Sequence, residues 1–167
     1  MEIFMWLILI AILIGVFYDF ETTRRLRKQI NQSWFTMNWC MEEKQKVILK
    51  LLEMGKYILY EEREYVKSII DSVHSVKSAN NMEEKIKADR DLDNQLNAFL
   101  LKLKAQPELK NLQEYREQMK KFEDLDKRST TASNTYNEIA RHHNRKISSF
   151  PSNIIALLFR IKKYPTK

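Results

Sequence analysis

The hydrophobic pattern of the chain begins with a continuous apolar run, Ile3 to Tyr18, which contains no charged residue. As an α-helix the run would be about 24 Å long, close to the ~30 Å hydrocarbon layer of a bilayer. It is apolar on all sides, whereas a surface helix of a soluble bundle has a polar face. The sequence around it has neither the basic start nor the small-residue cleavage site of a signal peptide. We therefore predict an uncleaved transmembrane anchor over residues 1–21, in preference to a buried helix. The side chains expected to face lipid are Ile3, Trp6, Leu7, Ile10, Leu13, Ile14, Phe17 and Tyr18.

From Thr22 onward the apolar residues recur every three or four positions, which is typical of amphipathic helices. The first such pattern follows the apolar run directly and reaches Leu51, so we expect the anchor and the first bundle helix to be continuous. Two further patterns cover residues 65–76 and 82–105, and a long one covers 108–149 after a break at Pro107. The chain has only two glycines and three prolines, too few for the turns of a β-rich fold. We predict an all-α fold, in which the transmembrane helix precedes an up-down antiparallel four-helix bundle of long helices over residues 22–150.

The predicted packing face of the last helix is polar in its middle third, at Asp126, Ser129 and Ser133. One interpretation is that the apolar stripe drifts there, as a 3.6-residue period allows, onto Leu125, Ala132 and Ile139. The other interpretation is a buried polar layer that fixes the register of the helices, which requires a partner for Asp126. The sequence alone leaves both open.

Positive charge is concentrated in two parts of the chain, whose formal net charge is +7. The first cluster follows the apolar run directly, and the second lies beyond Glu138, where the sequence has no acidic residue. Because basic residues accumulate on the cytoplasmic side of membrane helices, we expect a single-pass protein of the cell membrane with most of the chain in the cytoplasm. The single cysteine, Cys40, excludes an intramolecular disulfide and fits a reducing compartment. The residues expected at the membrane surface are Arg24, Arg25, Arg27, Lys28, Arg160, Lys162 and Lys163.

Residues 151–167 form a separate basic and apolar segment in this interpretation. Pro151 ends the long helix, and Ser152 or Asn153 can cap a short new one. In an up-down bundle the fourth helix returns to the membrane, so the segment would lie beside the bilayer. It either caps the open end of the bundle or lies in the membrane interface as an amphipathic helix. Its closeness to the bilayer favours membrane contact, and its basic residues would add attraction to anionic headgroups.

Several short motifs occur at definite spacings along the chain. Tyr136-Asn137 precedes Asn144, and both precede the segment Phe150-Pro151-Ser152-Asn153. Three further motifs lie upstream: Pro107-Glu108-Leu109-Lys110, Glu62-Arg63-Glu64, and Trp34 with Met37 and Met41. Together these motifs resemble the signature of the LemA family over nearly the full chain.

The resemblance implies a single-pass membrane protein with a cytoplasmic antiparallel helical bundle, and it implies no catalytic residues. The chain departs from the family pattern in three places. The family's R-Y-D-L-I-P-N-L stretch appears at residues 44–51 as KQKVILKL, without the proline that would kink the helix. Ser133 stands where the family usually has Arg, and His143-Asn144 stands where it repeats Tyr-Asn.

The sequence contains no pattern typical of catalysis or of a metal centre. Residues 89–94 are rich in aspartate but lack the glycine and the closing acidic residue of a calcium loop. The three histidines occur without the paired motifs of a di-metal bundle site. Gly15 and Gly55 are too far apart to form a phosphate-binding loop. We therefore expect no catalytic residue, no metal site and no cofactor.

Three functions are compatible with this pattern. The favoured one is a non-enzymatic, membrane-anchored helical scaffold whose partners are anionic lipid headgroups and unidentified proteins, with a second copy of the chain as a further candidate. Nucleic-acid binding is the alternative, because the basic residues could also contact phosphates, although they cluster where the membrane should be. A metalloenzyme with its site in the bundle core is the least favoured.

Overall fold

The computed structural model describes residues 2–56 and 63–167 of the chain. All regular structure in these two ranges is helical, so the predicted all-α class is confirmed there. Glu62 of the Glu62-Arg63-Glu64 motif lies outside the described residues. The helices are α1 Glu2–Gly55, α2 Arg63–Ser78, α3 Met82–Ala105, α4 Pro107–Lys110, α5 Gln113–Lys146 and α6 Ser152–Leu158.

The apolar run and the first amphipathic pattern form one continuous helix, α1, as the sequence predicts. This helix ends at Gly55, where the chain passes close to α3. A Cβ atom at Gly55 would lie 2.8 Å from Leu103 Cδ2 and 3.5 Å from Phe99 Cζ. Glycine therefore permits an approach at the end of α1 that a larger residue would hinder.

Local side-chain chemistry sets the boundary between α2 and α3. The Asn81 side chain accepts a hydrogen bond from the Glu84 backbone N–H at 2.9 Å, and Glu84 Oε2 accepts one from the Asn80 N–H at 3.0 Å. The first bond satisfies a backbone donor of the first turn of α3, and the second satisfies the N–H just before its cap.

The long helix predicted over residues 108–149 is interrupted near its start. Pro107 opens the one-turn helix α4, and Asn111 and Leu112 separate that turn from α5. Leu109 is buried, whereas Leu112, which is three residues before the buried Tyr115 and therefore in step with the apolar pattern of α5, is 51% exposed. Because of the break, Leu109 packs in the core and Leu112 does not. At its other end α5 stops at Lys146, before the predicted Ser149.

The chain forms two compact units. Unit 1 comprises Met1–Trp34 and Thr135–Thr166, and unit 2 comprises Phe35–Asn134 with Lys167. Both α1 and α5 therefore contribute residues to each unit.

The core of unit 2 is built from side chains of α1 to α5. The predicted apolar faces of α2 and α3 are both buried in it, and each large aliphatic side chain contributes about 1.5–3 kcal/mol through burial. Its main members are Val47, Ile48, Leu51, Leu52, Val66, Ile69, Val73, Val76, Leu92, Leu96, Phe99, Leu103, Leu109, Tyr115, Met119, Phe122 and Leu125.

The core of unit 1 is smaller and includes an aromatic contact between α5 and α1. Tyr136 is fully buried in it, and its ring centroid lies 5.6 Å from that of Trp34. The other buried side chains of this unit include Leu26, Ile30, Ala140, His143, Ile147, Ile155 and Ala156.

Candidate membrane-facing surface and signature residues

The apolar run at the start of α1 is exposed along its described length. Ile3 is 77% and Phe17 is 68% exposed, and the most apolar stretch of the helix has none of its residues buried within the structure. Among the described residues, α1 is the single helix that is long and apolar enough to cross a membrane. The eight predicted lipid-facing side chains are all exposed: Ile3, Trp6, Leu7, Ile10, Leu13, Ile14, Phe17 and Tyr18.

Helix α6 packs against α1 within unit 1, just beyond the end of the apolar run. The rings of Phe20 and Phe159 lie 5.5 Å apart between centroids. Lys146 Nζ lies 2.8 Å from the Asp19 carboxylate, and the buried Ser152 is a further hydrogen-bond partner of Asp19. A tilted aromatic pair and a shielded ion pair therefore fix this region to α1.

The two faces of α6 differ in what they contact. Ser152, Ile155 and Ala156 are buried, and they attach the helix to unit 1. The other face leaves large apolar side chains in the open, and Phe150 just before the helix adds to them. These exposed side chains are Phe150, Ile154, Leu157, Leu158 and Phe159.

The prediction that Ser152 or Asn153 caps α6 is wrong. Pro151 occupies the cap position, and no side chain there makes a capping hydrogen bond. Ser152 instead begins the helix and turns toward Asp19, while Asn153 is exposed. The peptide bond between Phe150 and Pro151 is cis.

Arg160, two residues beyond the end of α6, lies in the left-handed region, with a φ of 50°. The Ile161 N–H donates to the Ala156 carbonyl at 2.8 Å, which closes the last turn. Glycine usually holds this position because a side chain is strained there. The turn directs residues 161–166, hereafter the strap, back along α5.

Signature residues hold the strap in place. The Asn144 amide donates to the Tyr164 carbonyl at 2.8 Å, and Asn144 Oδ1 accepts from the Tyr164 N–H at 2.8 Å. The Tyr136 hydroxyl donates to the Pro165 carbonyl, also at 2.8 Å. Asn137 is buried beside Tyr136. Because the strap has no regular secondary structure, these side chains satisfy backbone groups that it cannot satisfy itself.

His143 is completely buried under the strap. Its ring packs edge-on against Tyr164, with centroids 5.1 Å apart. Burial lowers the pKa of His143; the hydrogen bond with Asn144 opposes this effect, and the positive charges of Arg27 and His142 add to it. Burial also raises the pKa of Tyr136 to about 12, so that its hydroxyl keeps its proton and donates.

All seven predicted membrane-surface cations belong to unit 1 and are exposed: Arg24, Arg25, Arg27, Lys28, Arg160, Lys162 and Lys163. The contact between Phe20 and Phe159 brings their two clusters together. Arg160 follows Phe159 directly, and Arg24 lies one helical turn, about 6 Å, beyond Phe20.

An ionic cluster in unit 2 joins the buried Lys44 to partly exposed carboxylates, and its members were not predicted as a group from the sequence. Lys44 Nζ lies 2.5 Å from Asp93 Oδ1 and 3.2 Å from Asp126 Oδ1, although its side chain is only 2% exposed. Lys167 Nζ pairs with Asp89, which is fully buried, and lies 3.2 Å from Asp93 Oδ2. Burial alone would lower the pKa of Lys44, but the nearby carboxylates, led by Asp93, raise it.

This cluster bears on both interpretations of α5. Asp126 has Lys44 as its partner, but its own side chain is 50% exposed, whereas Ser129 and Ser133 are buried. Leu125 and Ala132 are also buried, whereas Ile139 is half-buried. Both interpretations are therefore partly correct. The signal that could have revealed the cluster is Lys44 itself, which lies in step with Met41 and Ile48 on the packing face of α1.

The remaining groups of interest for chemistry are separate from one another. Cys40 is buried, and burial raises the pKa of its thiol. His74 and His142 are exposed. Within residues 2–56 and 63–167, no group of three or more His, Cys, Asp or Glu side chains is placed to hold a metal ion.

The family model of the LemA family matches residues 33–166. The chain belongs to the LemA family. The match includes every signature residue from Tyr136 to Asn153, as well as Lys44, Asp93 and Asp126. A comparison with curated protein sequences returned no match.

Within this LemA family chain, the departures from the family pattern have clear local consequences. Asn144 of the altered pair makes the bonds to the strap, while His143 fills the buried position under Tyr164. The helix at residues 44–51, where the family's proline is missing, is continuous through α1.

Proposed function

We propose that this LemA family chain is a non-enzymatic scaffold, anchored in the cell membrane by one helix, that binds other proteins through its helical surface. The exposed apolar run Ile3–Tyr18 carries the proposal. A surface of this size is stable only in apolar surroundings, and a bilayer supplies them along the whole length of the run. The arrangement proposed for the remaining long helices is an up-down four-helix bundle.

The roles of the signature residues support a function without catalysis. Tyr136 and Asn144 bond to the backbone of the chain's own strap, and Ser152 is buried beside Asp19. These side chains are occupied in holding the fold together, so they are poorly placed to act on a substrate.

The basic cluster that follows the apolar run supports an orientation with the bulk of the chain in the cytoplasm. Protease added to spheroplasts tests this orientation. We expect the strap to be protected until the membrane is permeabilised, and cleavage in intact spheroplasts would reverse the orientation.

Two exposed aromatic residues of unit 2 support protein binding. Phe35 is 73% and Trp39 is 45% exposed, and they lie one turn apart on α1. Aromatic side chains are enriched among the residues that dominate binding energy at protein interfaces. We propose this pair as the centre of the scaffold's partner-binding surface, for another protein or for a second copy of the chain.

A photo-crosslinking amino acid at Phe35 or Trp39, introduced into the full chain in cells, tests the scaffold function. We expect discrete protein adducts from both positions, and none from the same group at Lys50, which is also exposed on α1. An adduct of twice the chain's mass would identify a second copy as the partner. Equal adduct patterns at all three positions would contradict the proposal.

Nucleic-acid binding is the alternative function, and the exposed cations of unit 1 favour it in principle. Detergent-solubilised full chain that bound DNA at physiological ionic strength, with strong dependence on salt, would support it. We expect no such binding, because the same cations lie beside exposed apolar side chains that suit a lipid surface.

A further inference from the structure

We propose that Phe150 and α6 form a second membrane contact, in which α6 lies in the interface of an anionic bilayer. The exposed apolar side chains would enter the boundary between headgroups and acyl chains, while Arg160, Lys162 and Lys163 would contact lipid phosphates. The inference rests on the proposed anchoring of α1. It adds a second, separate attachment of unit 1 to the same membrane.

The first observation is the apolar face itself. Phe150 and Leu157 are each 80% exposed, and Leu158 is 73% exposed, although all three lie within nine residues. The opposite face of α6 is packed against unit 1, so rotation of the helix cannot hide these side chains. Large apolar patches of this kind on a protein surface mark an interaction site.

The second observation is the position of this face. Phe159 contacts Phe20, which is two residues beyond Tyr18 at the end of the apolar run. The Asp19–Lys146 ion pair fixes the end of α5 at the same level of α1. The apolar face of α6 therefore lies at the level of α1 where the anchor would leave the hydrocarbon layer. Because this apolar face adjoins the membrane anchor, we infer that it contacts lipid and not a groove of another protein.

The third observation is the charge around α6. Arg160, Lys162 and Lys163 are exposed and immediately follow the helix. The strap is tied to α5 through Tyr164, so these cations are held near α6. Exposed apolar side chains flanked by fixed cations are typical of segments that lie in the interface of anionic membranes.

Attachment of unit 1 to the membrane at two places would define its orientation, which a single membrane helix does not. A single membrane helix leaves the rest of a chain free to tilt and rotate, whereas a second contact defines the orientation of unit 1. The orientation would then depend on the anionic lipid content of the membrane, because α6 requires the cations for part of its affinity.

Brominated lipids, which quench tryptophan fluorescence, test the proposal in full chain reconstituted into vesicles. The reporter is Leu157→Trp, in a chain whose native tryptophans are replaced by phenylalanine. Because Leu157 is exposed, we expect the variant to fold, and circular dichroism checks that it does. The matched control is Asn31→Trp, an exposed position of unit 1 about 20 Å along α1 beyond Tyr18.

We expect lipids brominated near the headgroup to quench the tryptophan at position 157 and to leave that at position 31 unaffected. If each reporter has the same fluorescence in brominated as in ordinary vesicles, the second membrane contact is wrong. The apolar face of α6 would then bind a groove of another protein instead of lipid. Flotation of the same samples separates this outcome from failure of the anchor. If the chain floats with vesicles and position 157 is unquenched, only the α6 contact is wrong; if it does not float, the anchoring of α1 fails.

Variants that remove a positive charge test whether the cations near α6 bind anionic lipids. In vesicles containing phosphatidylglycerol, each replacement among Arg160→Gln, Lys162→Gln and Lys163→Gln should lower the ratio of inserted to free α6 about fivefold. In vesicles of phosphatidylcholine alone, the same variants should match the parent. Equal quenching of parent and variants in both vesicles would contradict the role of the cations.

Discussion

Asn144 shows how one side chain can organise a segment that has no secondary structure. An asparagine amide carries both a donor and an acceptor, and Asn144 uses them on the carbonyl and the N–H of the same residue, Tyr164. Losing this side chain would leave two backbone groups of the strap without partners, at a cost of about 1–3 kcal/mol.

We expect Asn144→Ala to release the strap without unfolding the rest of the chain. Trypsin cleavage at Lys162 and Lys163 should accelerate by about tenfold in detergent, because cleavage follows the population of the opened segment. Asn153→Ala is the matched control, since Asn153 is a signature asparagine with an exposed side chain. Identical cleavage rates in the two variants would contradict the role of Asn144.

His143 should make the stability of the chain depend on pH. Burial, together with Arg27 and His142, holds the pKa of His143 below its unfolded value of about 6.5. The folded state then binds fewer protons than the unfolded state. The stabilisation is present in full above about pH 6.5 and is lost as the pH falls through that value toward the folded pKa.

The free energy of unfolding, measured in detergent between about pH 8 and pH 5, checks this dependence. His143→Phe keeps a ring against Tyr164 and should show a smaller decrease than the parent. His74→Phe, at an exposed position of α2, should behave like the parent. The same decrease in parent and His143→Phe would show that His143 does not titrate as described.

At the level of helices, the Lys44 cluster couples α1, α3 and α5 within unit 2. We expect Lys44→Met to lower the free energy of unfolding by about 1.5 kcal/mol, because charge-assisted hydrogen bonds are lost while the partly exposed carboxylates of Asp93 and Asp126 can still be hydrated. Lys50→Met, at an exposed position of α1, should change it by about 0.5 kcal/mol or less. Denaturant unfolding measures both, and equal values would mean that Lys44 contributes no more than a surface lysine.

Hydrophobic periodicity predicted the helices because it depends on contacts that are local in sequence. The ranges of α2 and α3 were predicted from their apolar periodicity, and the passage of the apolar run into α1 was predicted as well. The break after α4 was missed, since Leu112 fits the period of α5 and only the packing of Leu109 decides between them. The role of Lys44 was missed because it depends on contacts that are distant in sequence. Its partners, Asp93 and Asp126, are 49 and 82 residues away.

At the level of the whole molecule, the sequence patterns identified exposed residues better than they identified the contacts that hold the C-terminal segment. The exposed apolar run, the exposed cations and the signature positions were all identified from patterns. The strap could not be predicted, because an extended segment held by Asn144 and Tyr136 has no periodicity of its own. Lys167 was grouped with the basic tail, yet it is largely buried and paired with Asp89 and Asp93.

The position of the apolar run in the hydrocarbon layer of a membrane can be measured directly with the native tryptophans. One variant of the full chain keeps only Trp6, and its matched partner keeps only Trp34, which lies about 24 Å along α1 beyond Tyr18. In vesicles with brominated acyl chains, we expect strong quenching of Trp6 and none of Trp34. Trp6 fluorescence that is unchanged by brominated acyl chains would show that the run lies outside the hydrocarbon layer.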